Sequence, residues 1–280
     1  MHPRLAADPR APFLRTAIEA AHEAGEALRL ATQDGFRIER KSSVVNLVTD
    51  ADREAEQRIV AHIRRTYPDH RILAEEGGRA ADADSPYQWI IDPLDGTTNF
   101  AHGFPFYSVS IALEEQGTCI LGAIYDPTRD ELFTAIRGQG AYLNDRPIHV
   151  STTDTLDDAL LVTGFAYDIR ETPDNNLDHF CRFALAAQGL RRTGSAALDL
   201  CYVAMGRLDG YWEVTLSPWD SAAGSVILTE AGGRITHFNG SPYTIYGKNL
   251  LASNGVLHDA MQAVLAQRQP ASGAPDTPST

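Results

Sequence analysis

Apolar positions in the first quarter of the chain recur at helical spacing. From Phe13 to Thr32 an apolar residue returns every three or four positions, which predicts an amphipathic helix. Gly25 lies on its apolar face, where glycine costs about 1 kcal/mol against alanine, so we interpret it as a point of close approach by another element. Thr49 or Asp50 is a good N-cap and predicts a second helix that ends near residue 66.

The middle of the chain changes to short apolar or alternating runs separated by turn residues, which is typical of an antiparallel meander. The strands predicted for it are Tyr107–Leu113, Cys119–Tyr125, Glu131–Ile136 and Ala141–Leu143. A turn at residues 144–147 is predicted to lead into another strand at Ile148–Ser151. Earlier strands are predicted at 36–40 and 71–74.

Strands and helices alternate beyond residue 151. The predicted strands are 159–163, 209–213, 234–237 and 249–252, and the predicted helices are 177–187, 195–205, 219–230 and 257–267. We therefore predict an N-terminal α+β half over residues 12–151 and a C-terminal α/β half over residues 152–268, with a site between them. Residues 1–11 and 269–280 lack a pattern and are predicted to be disordered tails.

Composition limits the classes of function. Of the 280 residues, 43% are hydrophobic and 22% charged, as in an ordinary globular protein. The 24 basic and 37 acidic residues give a formal charge of −13, which argues against a nucleic-acid backbone as main partner. A phosphate site in such a chain must bring its own positive charge, as bound metal would. We see no apolar stretch of membrane-spanning length and no secretory signal.

The cysteines indicate the redox environment. Cys119, Cys181 and Cys201 are odd in number and widely spaced, which fits neither a disulfide framework nor a zinc site. We therefore expect reduced thiols and a cytoplasmic protein.

Candidate chemistry is concentrated in residues 89–100. The apolar run Trp89–Ile91 is typical of a buried strand, and Pro93 should end its ladder because proline lacks an N–H. Asp92 and Asp95 then lie just past the end of that strand. They are either ligands of a divalent-metal phosphate site or turn residues that bond to their own backbone.

A glycine and two threonines follow these aspartates. Gly96 lets the backbone bend and approach a ligand, and Thr97 or Thr98 could cap a short helix whose free N–H groups form an anion site. Carboxylates beside an anion site are consistent with cations between them.

Five carboxylates occupy comparable positions, at a strand end or in the first turns of a helix: Asp52, Glu75, Asp92, Asp95 and Asp220. Each alone could be a cap or a solvated turn acid. Together they indicate a site with several oxygen ligands, which suits Mg²⁺, Mn²⁺ or Ca²⁺ better than zinc or copper.

Three motifs in this order resemble the inositol monophosphatase family. They are Glu75-Glu76-Gly77, Asp92-Pro93-Leu94-Asp95-Gly96-Thr97-Thr98-Asn99-Phe100, and Trp219-Asp220-Ser221-Ala222-Ala223-Gly224 continuing to Gly233. The resemblance covers residues 12–265 or so. It implies a layered αβαβα sandwich with the active site between the halves. It also implies a magnesium-dependent, lithium-sensitive hydrolase in which metal-activated water attacks a sugar phosphate, most closely myo-inositol 1-phosphate.

The resemblance also implies metal ligands. Glu75, Asp92 and the carbonyl of Leu94 would hold a first Mg²⁺, and Asp92, Asp95 and Asp220 would hold a second. A weaker third Mg²⁺ would bind Glu75 and water, and Mn²⁺ could substitute.

The remaining implied roles concern the water and the substrate. Thr97, paired with Asp52, would orient the attacking water, and the amides of Gly96 and Thr97 would receive the phosphate. The substrate hydroxyls would contact Gly194, Ser195, Ala196 and Glu213. The run Lys41-Ser42-Ser43 resembles a mobile loop of the family, although Val44-Val45-Asn46 departs from its usual proline and acid.

Other functions stay open at this point. Superfamily enzymes that take fructose 1,6-bisphosphate, histidinol phosphate or a 3′-phosphoadenosine nucleotide are close alternatives. Arg191 and Arg192 are adjacent basic residues that could bind the second phosphate of a bisphosphate substrate. The run from Arg191 to Leu200 resembles a bacterial branch with members that associate with transcription machinery. A regulatory protein-binding role is therefore the alternative of another class. The family also implies a homodimer.

Overall fold

The computed structural model describes residues 1–40, 47–80, 84–173 and 175–267. Its helices are α1 (Pro3–Ala6), α2 (Ala11–Asp34), α3 (Asp50–Thr66), α4 (Thr97–Ala101), α5 (Leu177–Ala186), α6 (Ala196–Ala204), α7 (Pro218–Glu230) and α8 (His258–Ala266). A 3₁₀ turn covers Leu156–Asp158. The predicted loop at 41–43, its departure at 44–46 and the predicted tail at 269–280 lie outside these ranges.

The strands in these ranges form two larger sheets and one hairpin. They are β1 (Ile38–Arg40), β2 (Leu47–Thr49), β3 (Arg71–Ala74), β4 (Gly78–Ala80), β5 (Tyr87–Asp95), β6 (Ser108–Glu115), β7 (Thr118–Asp126), β8 (Glu131–Ile136), β9 (Ala141–Leu143), β10 (Arg146–Pro147), β11 (Leu160–Thr163), β12 (Gly189–Arg191), β13 (Gly210–Val214), β14 (Arg234–Thr236) and β15 (Asn249–Ser253).

The larger sheet has the order β10-β9-β8-β7-β6-β5-β3-β4. All neighbours are antiparallel except β3 and β5, which are parallel. The predicted antiparallel meander is therefore confirmed. The smaller sheet has the order β12-β11-β13-β15-β14, with β11 parallel to both neighbours and β15 antiparallel to both of its own.

Three apolar clusters hold these sheets and helices in five layers. One cluster packs α2 and α3 against the outer face of the larger sheet. A second fills the space between the sheets, where α6 and α7 lie. The third packs α5 and α8 against the far face of the smaller sheet. This arrangement confirms the predicted αβαβα sandwich. No helix in the described ranges is both long and apolar enough to cross a membrane.

Two glycines permit close packing between layers. A Cβ on Gly25 would lie 2.6 Å from the ring of Tyr125, which confirms that α2 needs a glycine there. A Cβ on Gly122 would lie 2.6 Å from the carbonyl oxygen of Ala223 in α7. The second contact brings the first turns of α7 close to the larger sheet.

The structure differs from the sequence predictions at several places. Instead of a frayed terminus, α1 forms at Pro3–Ala6, because Leu5 is fully buried and the Met1 ammonium pairs with Asp145. Residues 148–151 are not a strand. Their amides bond one at a time to different elements, as when the Val150 N–H donates to the Ala231 carbonyl at 3.2 Å. The short strands β4, β10 and β12 were not predicted.

Candidate active site

Strand β5 carries two carboxylates to its end in the larger sheet. Its register against β6 shifts between Asp92 and Asp95. The predicted strand end at Pro93 is wrong, because the irregularity accommodates the missing N–H and pairing resumes between Asp95 and Ser108. Asp92 is 2% exposed, and its Oδ1 accepts a hydrogen bond of 3.0 Å from the Leu94 N–H.

Gly96 turns the chain out of β5 into α4. Its φ is +100°, and a Cβ there would lie 3.0 Å from the carbonyl oxygen of Phe106 and 3.3 Å from that of Gly194. Only glycine meets both demands without strain. Gly96 also occupies the N-cap position of α4, so the predicted capping by Thr97 or Thr98 is wrong.

The Thr97 hydroxyl forms hydrogen bonds with groups outside α4. It has two acceptors at 3.1 Å, Asp52 Oδ1 and the Leu94 carbonyl. Asp52 Oδ2 accepts hydrogen bonds of 2.8 Å from the Thr49 N–H and 2.5 Å from the Thr49 hydroxyl, as part of the capping box that begins α3. Burial raises the pKa of Asp52 to about 6, against the Thr49 hydrogen bonds. The predicted pair of Thr97 and Asp52 is therefore present.

Asp95 joins the two halves of the chain. Its Oδ2 accepts hydrogen bonds of 2.5 Å from the Ser195 hydroxyl and 2.8 Å from the Ala197 N–H, both at the start of α6. Burial raises the pKa of Asp95 to about 6, although these hydrogen bonds lower it. The sequence predicted that Ser195 contacts substrate, whereas its side chain is 1% exposed and donates to Asp95.

The other two carboxylates, Glu75 and Asp220, come from different halves of the chain. Asp220 is the third residue of α7, and its Oδ2 accepts a hydrogen bond of 2.7 Å from the Ser217 N–H. Glu75 follows β3, where its N–H donates to the Ile91 carbonyl at 3.2 Å. Thus β3, β5 and α7 direct acidic residues toward one place.

That place is a cavity of about 280 Å³, hereafter the acidic cavity. Seven residues predicted from the sequence line it: Glu75, Asp92, Leu94, Asp95, Gly96, Thr97 and Asp220. Asp52 is fully buried and reaches the cavity only through its contact with Thr97.

Mutual repulsion marks these carboxylates as neighbours. The pKa of Asp92 is raised well above its usual value by burial and then by the charges of Glu75, Asp95 and Asp220. Burial, followed by the Asp95 charge, similarly raises the pKa of Asp220. Yet no three acidic, histidine or cysteine side chains of the described ranges have the mutual spacing of a formed metal site. Asp92, Asp95 and Asp220 each accept a hydrogen bond from a backbone N–H with one carboxylate oxygen.

A second cavity, of about 350 Å³, adjoins the first and is hereafter the substrate cavity. The four residues predicted to contact the substrate hydroxyls line it: Gly194, Ser195, Ala196 and Glu213. Gly96 and Asp220, also predicted to bind substrate, line it too. The Glu213 carboxylate accepts a hydrogen bond of 2.5 Å from the Tyr211 hydroxyl. Burial raises the pKa of Glu213 to about 7, while Tyr211 and then the Arg192 charge lower it.

Comparison with known proteins identifies the family to which this chain belongs. The sequence profile of the inositol monophosphatase family matches residues 10–273. This chain belongs to the inositol monophosphatase family.

Individual family members are close in sequence and in structure. An inositol-1-monophosphatase of Synechocystis sp. is 50% identical over 254 residues, which is 91% of this chain and 88% of the relative. A Vibrio cholerae protein named Nus factor SuhB is 43% identical over 87% of this chain and 91% of its own. The inositol monophosphatase of Anabaena sp. superposes with a TM-score of 0.84 at 48% identity, covering 93% of this chain and 98% of its own.

In this inositol monophosphatase family member, two residues that the sequence did not predict line both cavities. They are Tyr167 and Thr215. Thr215 has φ +61°, a left-handed conformation that is strained for a β-branched residue. Tyr167 follows β11 and belongs to no sequence motif. Only its position after a strand end could have drawn attention to it.

Proposed function

We propose that this phosphoric monoester hydrolase acts on myo-inositol 1-phosphate and releases inositol and inorganic phosphate. Its family membership and its 50% identity to an inositol-1-monophosphatase support that reaction. The observation that carries the proposal is the hydrogen bond from Thr97 to the buried Asp52 at the wall of the acidic cavity.

The donor set of the acidic cavity fits hard divalent cations, because every candidate ligand is an oxygen atom. We assign a first Mg²⁺ to Glu75, Asp92 and the carbonyl of Leu94, and a second to Asp92, Asp95 and Asp220. Glu75 would also hold a weaker third, and Mn²⁺ could substitute. When bound, these cations would supply positive charge for the phosphate and lower the pKa of water.

Thr97 and Asp52 would position the attacking water. A threonine hydroxyl is a poor base but has one hydrogen to donate and two lone pairs to accept. With its hydrogen on Asp52, Thr97 Oγ1 presents its lone pairs to water, and Asp52 can accept the proton that moves along this chain. Asp52 itself is fixed by Thr49, so the pair is held in place before substrate arrives.

Substrate would extend from the acidic cavity into the substrate cavity. The N–H groups of Gly96 and Thr97 would receive the phosphate, since the first N–H groups of a helix lack intrahelical acceptors. Glu213 has two carboxylate oxygens and can accept hydrogen bonds from vicinal hydroxyls, while Gly194 and Ala196 offer backbone groups. An acidic polyol-binding cavity beside a phosphate site suits an inositol phosphate.

A panel of substrates tests the choice among phosphate esters. Arg191 donates to the Leu190 carbonyl at 2.9 Å and lies outside the substrate cavity. Arg192 lines that cavity, where its charge lowers the pKa of the Glu213 and Asp199 carboxylates. A second phosphate would have to compete with both carboxylates for Arg192. The value of kcat/KM should therefore be highest for myo-inositol 1-phosphate and lower for fructose 1,6-bisphosphate, histidinol phosphate and 3′-phosphoadenosine nucleotides. A higher value for any of the latter contradicts the assignment.

Glu213→Gln should raise KM for myo-inositol 1-phosphate about 10-fold and leave kcat nearly unchanged. The amide keeps one acceptor for Tyr211 but loses a charged acceptor for the substrate hydroxyls. Steady-state kinetics check this, with p-nitrophenyl phosphate as the control substrate because it has no hydroxyls. An equal loss on both substrates would contradict a polyol contact.

Divalent cations should stabilise the fold in a pH-dependent manner. The pKa values of Asp52 and Asp95 are raised to about 6, from an unfolded value of about 4, so their protonated forms favour folding. Their contribution without metal is full below about pH 4 and is lost as pH rises through about 6. Mg²⁺ at 100 times its Kd should add roughly 5 °C to Tm at pH 8 and less at pH 5.

Differential scanning fluorimetry in EDTA and in Mg²⁺ at both pH values measures this difference. A Tm indifferent to Mg²⁺ at pH 8 would show that the carboxylates do not form the proposed site.

A regulatory role is a second candidate, favoured by the 43% identity to a Nus factor of Vibrio cholerae. Affinity purification of the tagged chain from its own lysate, with and without Mg²⁺, would test it. Recovery of transcription proteins supports the role, and recovery of none removes it. For the enzyme itself we propose a cytoplasmic homodimer with no membrane or nucleic-acid partner. Light scattering can measure the mass of this homodimer.

A further inference from the structure

Tyr167 lies at the boundary of the acidic cavity and the substrate cavity. Five residues line both cavities: Asp95, Gly96, Tyr167, Thr215 and Asp220. The carboxylates among them only accept hydrogen bonds when ionised, whereas a phenol donates one. Tyr167 therefore brings a side-chain donor to a boundary at which the charged groups are acceptors.

The backbone around Tyr167 is fixed on both sides. Before it, the Gly164 carbonyl accepts a hydrogen bond of 2.8 Å from the Asn176 side chain. A Cβ on Gly164 would lie 2.1 Å from a carboxylate oxygen of Glu213, so the backbone runs directly against that residue. After it, a turn over residues 168–171 is closed by a hydrogen bond of 2.8 Å. The position of Tyr167 is thus part of the wall of the site.

The Tyr167 hydroxyl is available to a ligand. No hydrogen bond joins it to another residue in the part of the chain that the structure describes. The side chain is 45% exposed at the two cavities that it lines. Burial raises its pKa, and the charges of Glu75, Asp220, Asp95 and Asp92 raise it further, so the hydroxyl keeps its hydrogen at neutral pH.

We propose that Tyr167 contacts the substrate by donating its hydroxyl hydrogen to a phosphate oxygen at the boundary of the two cavities. The inference rests on the proposed function, because the phosphate must lie beside the acidic cavity. A phosphate dianion only accepts hydrogen bonds, so a neutral donor among carboxylates selects it without adding charge. Tyr167 thereby fixes which end of the substrate faces Thr97.

Tyr167→Phe removes the donor and keeps the ring. We expect kcat/KM for myo-inositol 1-phosphate to fall about 10- to 100-fold, as for a hydrogen bond to a charged group. The Kd of inorganic phosphate, measured calorimetrically with Mg²⁺ present, should rise about 10-fold. The rise in Tm caused by Mg²⁺ alone should not change. Tyr167→His, which keeps a ring donor, should recover part of the phosphate affinity.

Tyr246→Phe is the matched control. Tyr246 is 50% exposed, and its hydroxyl donates at 2.8 Å to Glu114, outside both cavities. It should leave phosphate binding and kinetics as in the wild type.

Two results would overturn the role of Tyr167. One is a Tyr167→Phe variant that binds phosphate with wild-type affinity. The other is a Tyr167→Phe variant that loses phosphate affinity and whose Tm also no longer rises with Mg²⁺. The hydroxyl would then act on the metal site. If wild-type protein binds phosphate but hydrolyses none of the esters, the proposed function fails and the comparison of phosphate affinities still decides the role of Tyr167.

Discussion

Asp95→Asn should lower kcat for myo-inositol 1-phosphate by about 10²- to 10³-fold at saturating Mg²⁺, the usual effect of removing one electrostatic contributor. The aspartate is the proposed ligand that also joins the two halves. Asparagine retains an oxygen that can accept from Ser195 and Ala197, so the link to α6 should persist. What is lost is the negative charge at the acidic cavity.

Stability separates this chemical effect from damage to the fold. In EDTA, Asp95→Asn should be at least as stable as wild type, because one member of a mutually repelling group is neutralised. Asp209→Asn is the contrasting control. Asp209 is buried outside both cavities, where it accepts from the Ser151 hydroxyl and the Leu160 N–H, so its loss should lower Tm and spare kcat. An Asp95→Asn variant with wild-type kcat would show that Asp95 is not a ligand of the proposed metal site.

Thr97→Val should lower kcat by roughly 10²- to 10³-fold with little change in KM. Valine has nearly the shape of threonine but no hydroxyl, so water loses its acceptor and its path to Asp52. Thr97→Ser keeps the hydroxyl and should restore most of the activity. Phosphate release at saturating substrate measures both variants.

The fold should tolerate Thr97→Val because Asp52 keeps its two hydrogen bonds from Thr49. Equal Tm values for the Val and Ser variants provide the control. If Thr97→Val kept wild-type kcat, the water would have to be oriented by another residue.

Patterns of apolar residues predicted most of the fold, because long periodic segments record which face is buried. Helices α2 and α3 and strands β6 to β9 lie where their patterns placed them. Short elements depended on contacts that no local pattern contains. Strand β12 exists because Gly189–Arg191 pairs with β11, and α1 forms because Leu5 is buried.

Turn chemistry was harder to predict than the positions of the carboxylates. Both threonines after Gly96 are good capping residues in isolation. In the fold, the left-handed Gly96 occupies the cap, and the Thr97 hydroxyl lies opposite Asp52, which comes from a different helix. Pro93 likewise interrupts the ladder without ending the strand, because β6 resumes pairing beyond it.

Motif residues of the candidate site were predicted from sequence because their runs resemble family motifs. Non-motif residues were not found. Tyr167 lines the acidic cavity and follows β11, which pairs with β13 in the smaller sheet. The Ser195 hydroxyl donates to Asp95 from the other half of the chain. Such contacts depend on tertiary structure.

The central claim is that the acidic cavity binds divalent cations that the hydrolysis requires. The most direct test is phosphate release from myo-inositol 1-phosphate by wild-type protein stripped with EDTA, followed by titration with Mg²⁺, in parallel with Asp92→Asn. We predict no release in EDTA, full recovery with Mg²⁺, and no recovery in Asp92→Asn. Hydrolysis that continues in EDTA, or an Asp92→Asn variant as active as wild type, would contradict the claim.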